Sequence, residues 1–322
     1  MKRALLLATA VAIGCGNDEA KPPPPVTSPI TVLDPGAEPR RTLRYQIGAA
    51  MQARIHAELD VTIDAGGQGG VLPTMVLGLE TRAEAVLPNH RMRMRTTIVD
   101  VSARERAGSL ITAAALDAEA HHLRGISFTG ELAPDGTLEA LAVDLRGRTL
   151  PPNLSSQVDS LAKTFQQVAM PLPITPVGIG AHWQFKKPIE QTGMKLTATT
   201  DVNVVALDAQ RFSYVMTTTL AGDDQAVTQA GATIKLTKIG GDGKATGVVD
   251  LTRMTMTGEQ ALAFHAEMAG EDQNARMGLT VITRLTDDSA ALPPPPAAVV
   301  KSAEDLGSGD TGSDDNATLE DH

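Results

Sequence analysis

Aromatic side chains are scarce in this chain: its 322 residues hold one Trp, two Tyr and five Phe. Surfaces that grip single-stranded nucleic acid rely on stacking rings, so that class is poorly served. An excess of positive charge is also missing. The net charge is −10, whereas nucleic-acid binding needs a basic footprint. Cysteine occurs once, at Cys15, which excludes an internal disulfide and a cysteine metal cluster. No apolar run reaches the roughly 20 residues of a membrane-spanning helix. Gly-x-Ser-x-Gly, the phosphate loop and the dinucleotide fingerprint are all absent. No cofactor and no enzymatic activity are therefore expected. What remains is aliphatic: 42% of the residues are hydrophobic and 12 are Met, enough for a core of Ala, Val, Leu, Ile and Met.

The N-terminus carries a targeting pattern. Met1-Lys2-Arg3 is basic, Ala4 to Ile13 is a short apolar stretch, and Gly14-Cys15 closes it. This layout is that of a secretory signal, too short to span a bilayer. The lone cysteine after a small residue resembles the lipobox of bacterial lipoproteins, with Ala12 where that family prefers Leu. The resemblance implies cleavage after residue 14 and acylation of Cys15, with several chains anchoring the protein stably. It also implies a cell-envelope location. Gly16, rather than Asp, after the cysteine leans toward an outer membrane facing the periplasm or the surface. Removal of residues 1–14 takes Lys2 and Arg3 but no acid, leaving about −12. That charge keeps the body off anionic head groups, so the acyl chains do the attaching.

Composition divides the rest. Residues 15–40, with Pro22 to Pro25, Pro29, Pro35 and Pro39, read as a lipidated, semi-rigid tether. Residues 41–287 form the body. Residues 288–322 hold Pro293 to Pro296 and eight acids against one base, and read as a disordered acidic tail.

The body is dominated by period-two alternation. Every odd position from Leu43 to Ile63 is apolar or aromatic while most even ones are polar or small, the mark of a strand with one buried face. At about 3.3 Å per residue this stretch would span roughly 70 Å, so it must bend or break near Gly48. Further strands are expected over Met75–Leu87, Met92–Ile98, Ile126–Leu132, Leu138–Leu145, Val177–Phe185, Met194–Leu207, Phe212–Leu220, Val227–Ile239, Ala245–Met256, Gln260–Met268 and Met277–Leu285. Residues 110–120 fit a strand or a short helix. Leu87-Pro88-Asn89-His90 and Asp135-Gly136 mark turns. The period changes once. Leu154, Val158, Leu161, Phe165 and Val168 recur at helical spacing, with Pro171 and Pro173 ending the stripe.

The flanks of this helix look alike. Ile126–Leu132, Asp135-Gly136 and Val143-Asp144-Leu145 parallel Thr233–Lys238, Asp242-Gly243 and Val249-Asp250-Leu251. The expected fold is mainly β: a first half over 41–150, a linking amphipathic helix within 151–173, and a second half over 174–287. Two antiparallel meanders would form a curved half-barrel or a paired sheet. Pro173-Ile174-Thr175-Pro176-Val177-Gly178-Ile179-Gly180-Ala181-His182-Trp183 resembles a segment of uncharacterised secreted bacterial β-rich proteins. The layout is also similar to lipoproteins that fold as curved half-barrels and hold a lipid chain under a helix.

Candidate chemistry is thin. His121-His122, if on a strand, would point to opposite faces. His56 and Glu58 share a face but more simply line a solvated one. Glu80, Arg82 and Glu84 facing Arg91, Arg93 and Arg95 read as cross-strand ion pairs. Trp183 reads as a core anchor or a cavity wall. Two functional readings follow. One is a membrane-anchored, non-catalytic envelope lipoprotein with a structural or protein-interaction role and an unidentified protein partner. The other is a carrier of a lipid or other hydrophobic ligand between sheet and helix. For the carrier, Met92, Met94, Leu161, Phe165 and Trp183 are the expected ligand-binding residues. No metal ligands are assigned.

Overall fold

In the computed structural model, residues 30–46, 48, 51–148, 158, 162, 170–191, 194–229, 232–269 and 274–291 are described. Ahead of the body lies β1 (Thr31–Asp34), and the first half supplies β2 (Gln52–Ala65), β3 (Gln68–Val71), β4 (Thr74–Val86), β5 (Met92–Arg104), β6 (Ser127–Leu132) and β7 (Leu138–Asp144). The second supplies β8 (His182–Gln191), β9 (Met194–Leu207), β10 (Arg211–Gly222), β11 (Gln225–Gln229), β12 (Ala232–Asp250), β13 (Thr255–Ala269) and β14 (Asn274–Asp287). One short helix, α1 (Ala113–Ala120), follows β5. All fourteen strands belong to one antiparallel sheet, ordered β1-β8-β9-β10-β12-β13-β14-β2-β4-β5-β6-β7, with β11 beside β12 and β3 beside β2. The sheet is open, and its two halves join where β14 pairs with β2.

Local chemistry places the turns. His90, with φ 58°, closes the β4–β5 hairpin, and its N–H donates to Leu87 O at 3.0 Å. Between β6 and β7, Thr137 N–H donates to Asp135 Oδ1 at 3.0 Å and Gly136 takes φ 85°, a conformation that glycine adopts freely. Within 110–120, residues 113–120 are helix, and Thr112 caps it: its Oγ1 accepts from Ala115 N–H at 3.2 Å.

Three sequence expectations need correction. Only the second part of the Leu43–Ile63 stretch is a strand: β2 starts at Gln52, and residues 43–46 cross the end of the sheet instead of forming a bent or second strand. Tyr45 N–H donates to Pro134 O at 2.9 Å and Gln46 N–H to Leu251 O at 2.8 Å. The segment thus straps the β6–β7 turn to the end of β12. Alternation reports only an extended chain with one apolar side, and that side can be buried by crossing strands as well as by pairing with them. Second, Asp242-Gly243 is no turn. It lies inside β12, where Gly243 pairs with both Thr218 and Leu262, so the hairpin parallel between the two flanks does not hold. Third, Val177 makes only a single bridge, to Arg41, and β8 begins at His182. The sheet also reaches into the span assigned to the tether, since Thr31 and Val32 pair with Gln184 and Trp183. The helical stripe at 154–168 lies outside the described residues apart from Val158 and Ala162, both helical. Val158 packs with Ile98, Leu123, Ile126 and Phe128.

Glycine shapes the β12–β13 seam. Gly247 faces Gly258 across the ladder, and a Cβ on either would collide with a carbonyl of the other strand, that of Thr257 or Thr246. The backbones approach too closely there for any side chain.

Asp250 closes β12. It is 5% exposed. Oδ1 accepts from the N–H groups of Thr252 and Arg253 at 2.9 and 3.2 Å, and Arg211 Nε donates to Oδ2 at 2.9 Å. Burial works against its charge, but these donors outweigh it and hold the carboxyl down at about 2. A depressed folded-state value stabilises the fold above the ordinary carboxylate range, and the gain is lost as pH falls through the lowered value. Asp250→Ala should therefore cost on the order of 2 kcal/mol at pH 7. Urea unfolding should show that deficit narrowing as pH falls from about 4 toward 2; a deficit independent of pH would contradict the assignment.

Candidate functional site

Direct cross-strand partners point to the same side of a sheet, so the register identifies the face on which the apolar residues meet. At one wing this face is buried beneath the strap. Leu43, Leu172, Val177, Trp183, Val202 and Phe212 pack there. At the other wing it is buried where Leu123, Ile126 and Val158 meet Leu77 and Ile98.

Between the wings lie β13, β14 and β2. Phe264, Leu279 and Ile63 form one row across them, and Leu262, Val281 and Val61 form the next. All six of these side chains are only half-buried. α1 packs on β5 rather than over these strands. Leu110, 46% exposed, leans over Gly70, the partner of Ile63, and extends the apolar border. Full burial of one such side chain is worth about 1.5–3 kcal/mol, so a half-wet row forgoes stabilisation that an apolar ligand would supply. Contiguous apolar surface of this kind marks binding sites more often than isolated exposed residues do.

The opposite face of the same strands is polar and internally satisfied. Arg104 donates to both oxygens of Glu58 at 3.0 and 2.9 Å. Arg284 bridges Asp60 at 2.8 Å and Glu259 at 2.9 Å. The hydrogen bonds from Arg104 hold the Glu58 carboxyl below its usual value. For Asp60, burial is outweighed by Thr74 Oγ1 and Arg284, and its carboxyl is lowered too. His56 Nε2 stands 3.8 Å from Glu58, a carboxylate already gripped by Arg104. The face is an ion-pair network across strands, with its acids engaged.

The residues expected at the site are dispersed. Met92 is fully buried, packed with Met51 and Leu132. Met94 lines a hollow of about 30 Å³ with Thr96, Phe128, Gly130, Leu138 and Leu141, room for a water or two. Trp183 is fully buried at the other wing, 6.3 Å from Phe212 edge-on, and its Nε1–H has no hydrogen-bond partner among the described residues. Leu161, Phe165 and Cys15 lie outside the described residues. The central residues Leu279, Val281 and Val61 were legible as strand positions, but no local signal set them apart from core. The arginine row is paired, though partly elsewhere than expected. Arg95 binds Glu84 and also Asp144, Arg93 reaches Glu131, and Arg91 binds Glu139. His121 and His122 sit on a 3₁₀ turn after α1 with ring centroids 4.0 Å apart, not on a strand.

No protein-family model matches this chain, and no curated protein matches it. A solved structure titled "Lipid-protein interactions in lipovitellin" shares 10% sequence identity at a TM-score of 0.45. The match covers 79% of this chain and 27% of that one, so the chain spans about a quarter of that protein's length.

The open face makes a stability prediction. Ile98→Ala, in the covered wing, should cost about 2–5 kcal/mol. Leu279→Ala, on the half-wet row, should cost no more than about 1 kcal/mol. Equal losses in urea unfolding would mean that the central row is covered like the wings.

Proposed function

We propose that this chain is a non-catalytic carrier of a hydrophobic ligand, held at a membrane of the cell envelope through an acylated Cys15. The observation that carries the ligand reading is the half-buried apolar patch of Phe264, Leu279, Val281 and Val61, on two adjacent rows at the middle of the sheet. The ligand lies on an open face, not in an enclosed chamber. In this reading the sheet is a curved half-barrel of two meanders, with an amphipathic helix over 154–168 bridging them. The register within each half and the packing of Val158 support that layout. The non-catalytic part is supported by the arginines that engage Glu58, Asp60 and Glu259. The anchor is supported by the signal pattern ending at Cys15 and by a net charge of −10, which leaves attachment to acyl chains.

The ligand reading is tested with the full chain freed of detergent. Hexadecanol should displace a fluorescent apolar probe, and Leu279→Glu combined with Val281→Glu should abolish displacement while the circular dichroism spectrum stays that of the wild type. Binding unchanged in the double variant would move the site elsewhere, and turnover of a bound ligand would end the non-catalytic reading. The anchor is tested separately by expression in a bacterial host. Cys15→Ser should move the protein from the membrane to the soluble envelope fraction; retention in the membrane would refute acyl anchoring.

A further inference from the structure

Two polar side chains interrupt the apolar face at its middle. The row from Trp183 through Val202, Met216 and Ala245 continues into Gln260, Thr283, Leu59 and Met75. Every member is apolar except Gln260 on β13 and Thr283 on β14, which are direct partners and half-buried. Other hydroxyls on this face satisfy each other: Thr200 with Thr218 at 3.1 Å, and Thr81 with Thr96 at 2.9 Å. The side chains of Gln260 and Thr283 have no hydrogen-bond partner among the described residues. Taking such groups out of water is costly unless something bonds to them.

The pair borders a hollow of about 20 Å³ together with Tyr214, Met256, Gly258 and Leu285, room for one hydroxyl-sized group. The Tyr214 ring lies over Gly247, and burial pushes its hydroxyl up to about 12, so it stays uncharged at neutral pH. Glu259, which also borders the hollow, belongs to the opposite face and is held by Arg284 at 2.9 Å. An anionic head group would find no cation here. A hydroxyl both donates and accepts, as do the Gln260 amide and the Thr283 hydroxyl.

From this pair the half-buried residues continue along the strands. Leu262 and Val281 come next, then Phe264 and Leu279. Gln260 to Phe264 is four residues of strand, roughly 13 Å. One acyl chain fills half of a hydrocarbon core about 30 Å thick, roughly 15 Å. Ala266, the next residue of β13 on this face, is buried and closes the track. A polar pair at one end of an apolar track of this length suits an amphiphile with one chain and a small uncharged head.

We propose that Gln260 and Thr283 receive the hydroxyl of an uncharged, single-chain amphiphile of the long-chain alcohol class, whose chain lies along Leu262 and Val281 onto Phe264 and Leu279. The assignment rests on the apolar-face reading above and adds the head group to it. A competing role needs no ligand: one water in the hollow would satisfy both side chains.

The test compares hexadecanol, hexadecyl methyl ether and palmitate at pH 8 as displacers of an apolar probe. It uses the full chain carrying Cys15→Ser, free of detergent. Hexadecanol should bind roughly ten-fold more tightly than the ether, which cannot donate a hydrogen bond, and more tightly than palmitate. Gln260→Leu combined with Thr283→Val should erase the preference over the ether while both still bind, and Thr283→Ser should keep it. Equal binding of alcohol and ether by the wild type, the result expected of a hollow filled by water alone, would overturn the head-group assignment and leave the apolar-face reading standing. So would tighter binding of palmitate, or a double variant that weakens alcohol and ether equally. Binding of none of the three would overturn both readings.

Discussion

A one-layer sheet has two faces, and water satisfies only one of them here. Charged and polar residues occupy the outer side of β13, β14 and β2, held by Arg104 and Arg284. The inner side is aliphatic, and hydrophobic burial must find cover for it within the same chain. Cover is found at both wings: one lies beneath the strap at residues 43–46 and the segment near Leu172, the other beneath Leu123, Ile126 and Val158. Tyr45 packs against the first of these clusters and also against the Met51–Met92–Leu132 cluster of the β5–β6 end. In the middle, Phe264 packs against a further cluster of Leu196, Leu236, Ile239 and Ala266, while Leu279, Val281 and Val61 stay half-buried, and the functional reading starts from those three.

The scarcity of large side chains has a structural counterpart. With one Trp and five Phe, rings are spent where several strands converge: Trp183, Phe212 and Tyr214 stack in sequence at one wing. At the β12–β13 seam the opposite solution is used. Gly247 and Gly258 remove side chains altogether, letting the two backbones come closer than any Cβ permits. Strand ends are fixed by a recurring device, an aspartate that accepts backbone N–H groups just beyond it, as at Asp144, Asp208, Asp250 and Asp287. In a chain with one cysteine, these polar ties and the ladder itself supply order that disulfides give many small extracellular domains.

The sequence was most legible where one local rule decided the outcome. Asp135-Gly136 and Leu87-Pro88-Asn89-His90 form turns because φ and side-chain acceptors are settled within four residues. It misled where the same local pattern serves two ends. Asp242-Gly243 has the composition of a turn, yet Gly243 is needed in β12 for its missing side chain rather than for a positive φ. Leu43–Ile63 alternates throughout, but only its second part pairs as a strand. Arg91 and Arg93 were expected to face the acids of β4. They turn instead to Glu139 and Glu131, because β5 has a neighbour on each side and the sequence does not say which supplies the partner.

By itself the sequence determined the β-rich class, the apolar and polar sides of most strands, the hairpin turns and the absence of crosslinks. Each follows from chain stereochemistry or composition over a few residues. Tertiary structure decided strand order, the joining of the halves through β14 and β2, the conversion of residues 43–46 into a strap, and which aliphatic positions stay half-wet. Those outcomes depend on contacts between residues far apart in the chain, such as Arg284 with Asp60 and Tyr45 with Pro134. Periodicity marks Leu279 and Ile98 as the same kind of residue. Only the packing of distant segments makes one core and leaves the other open.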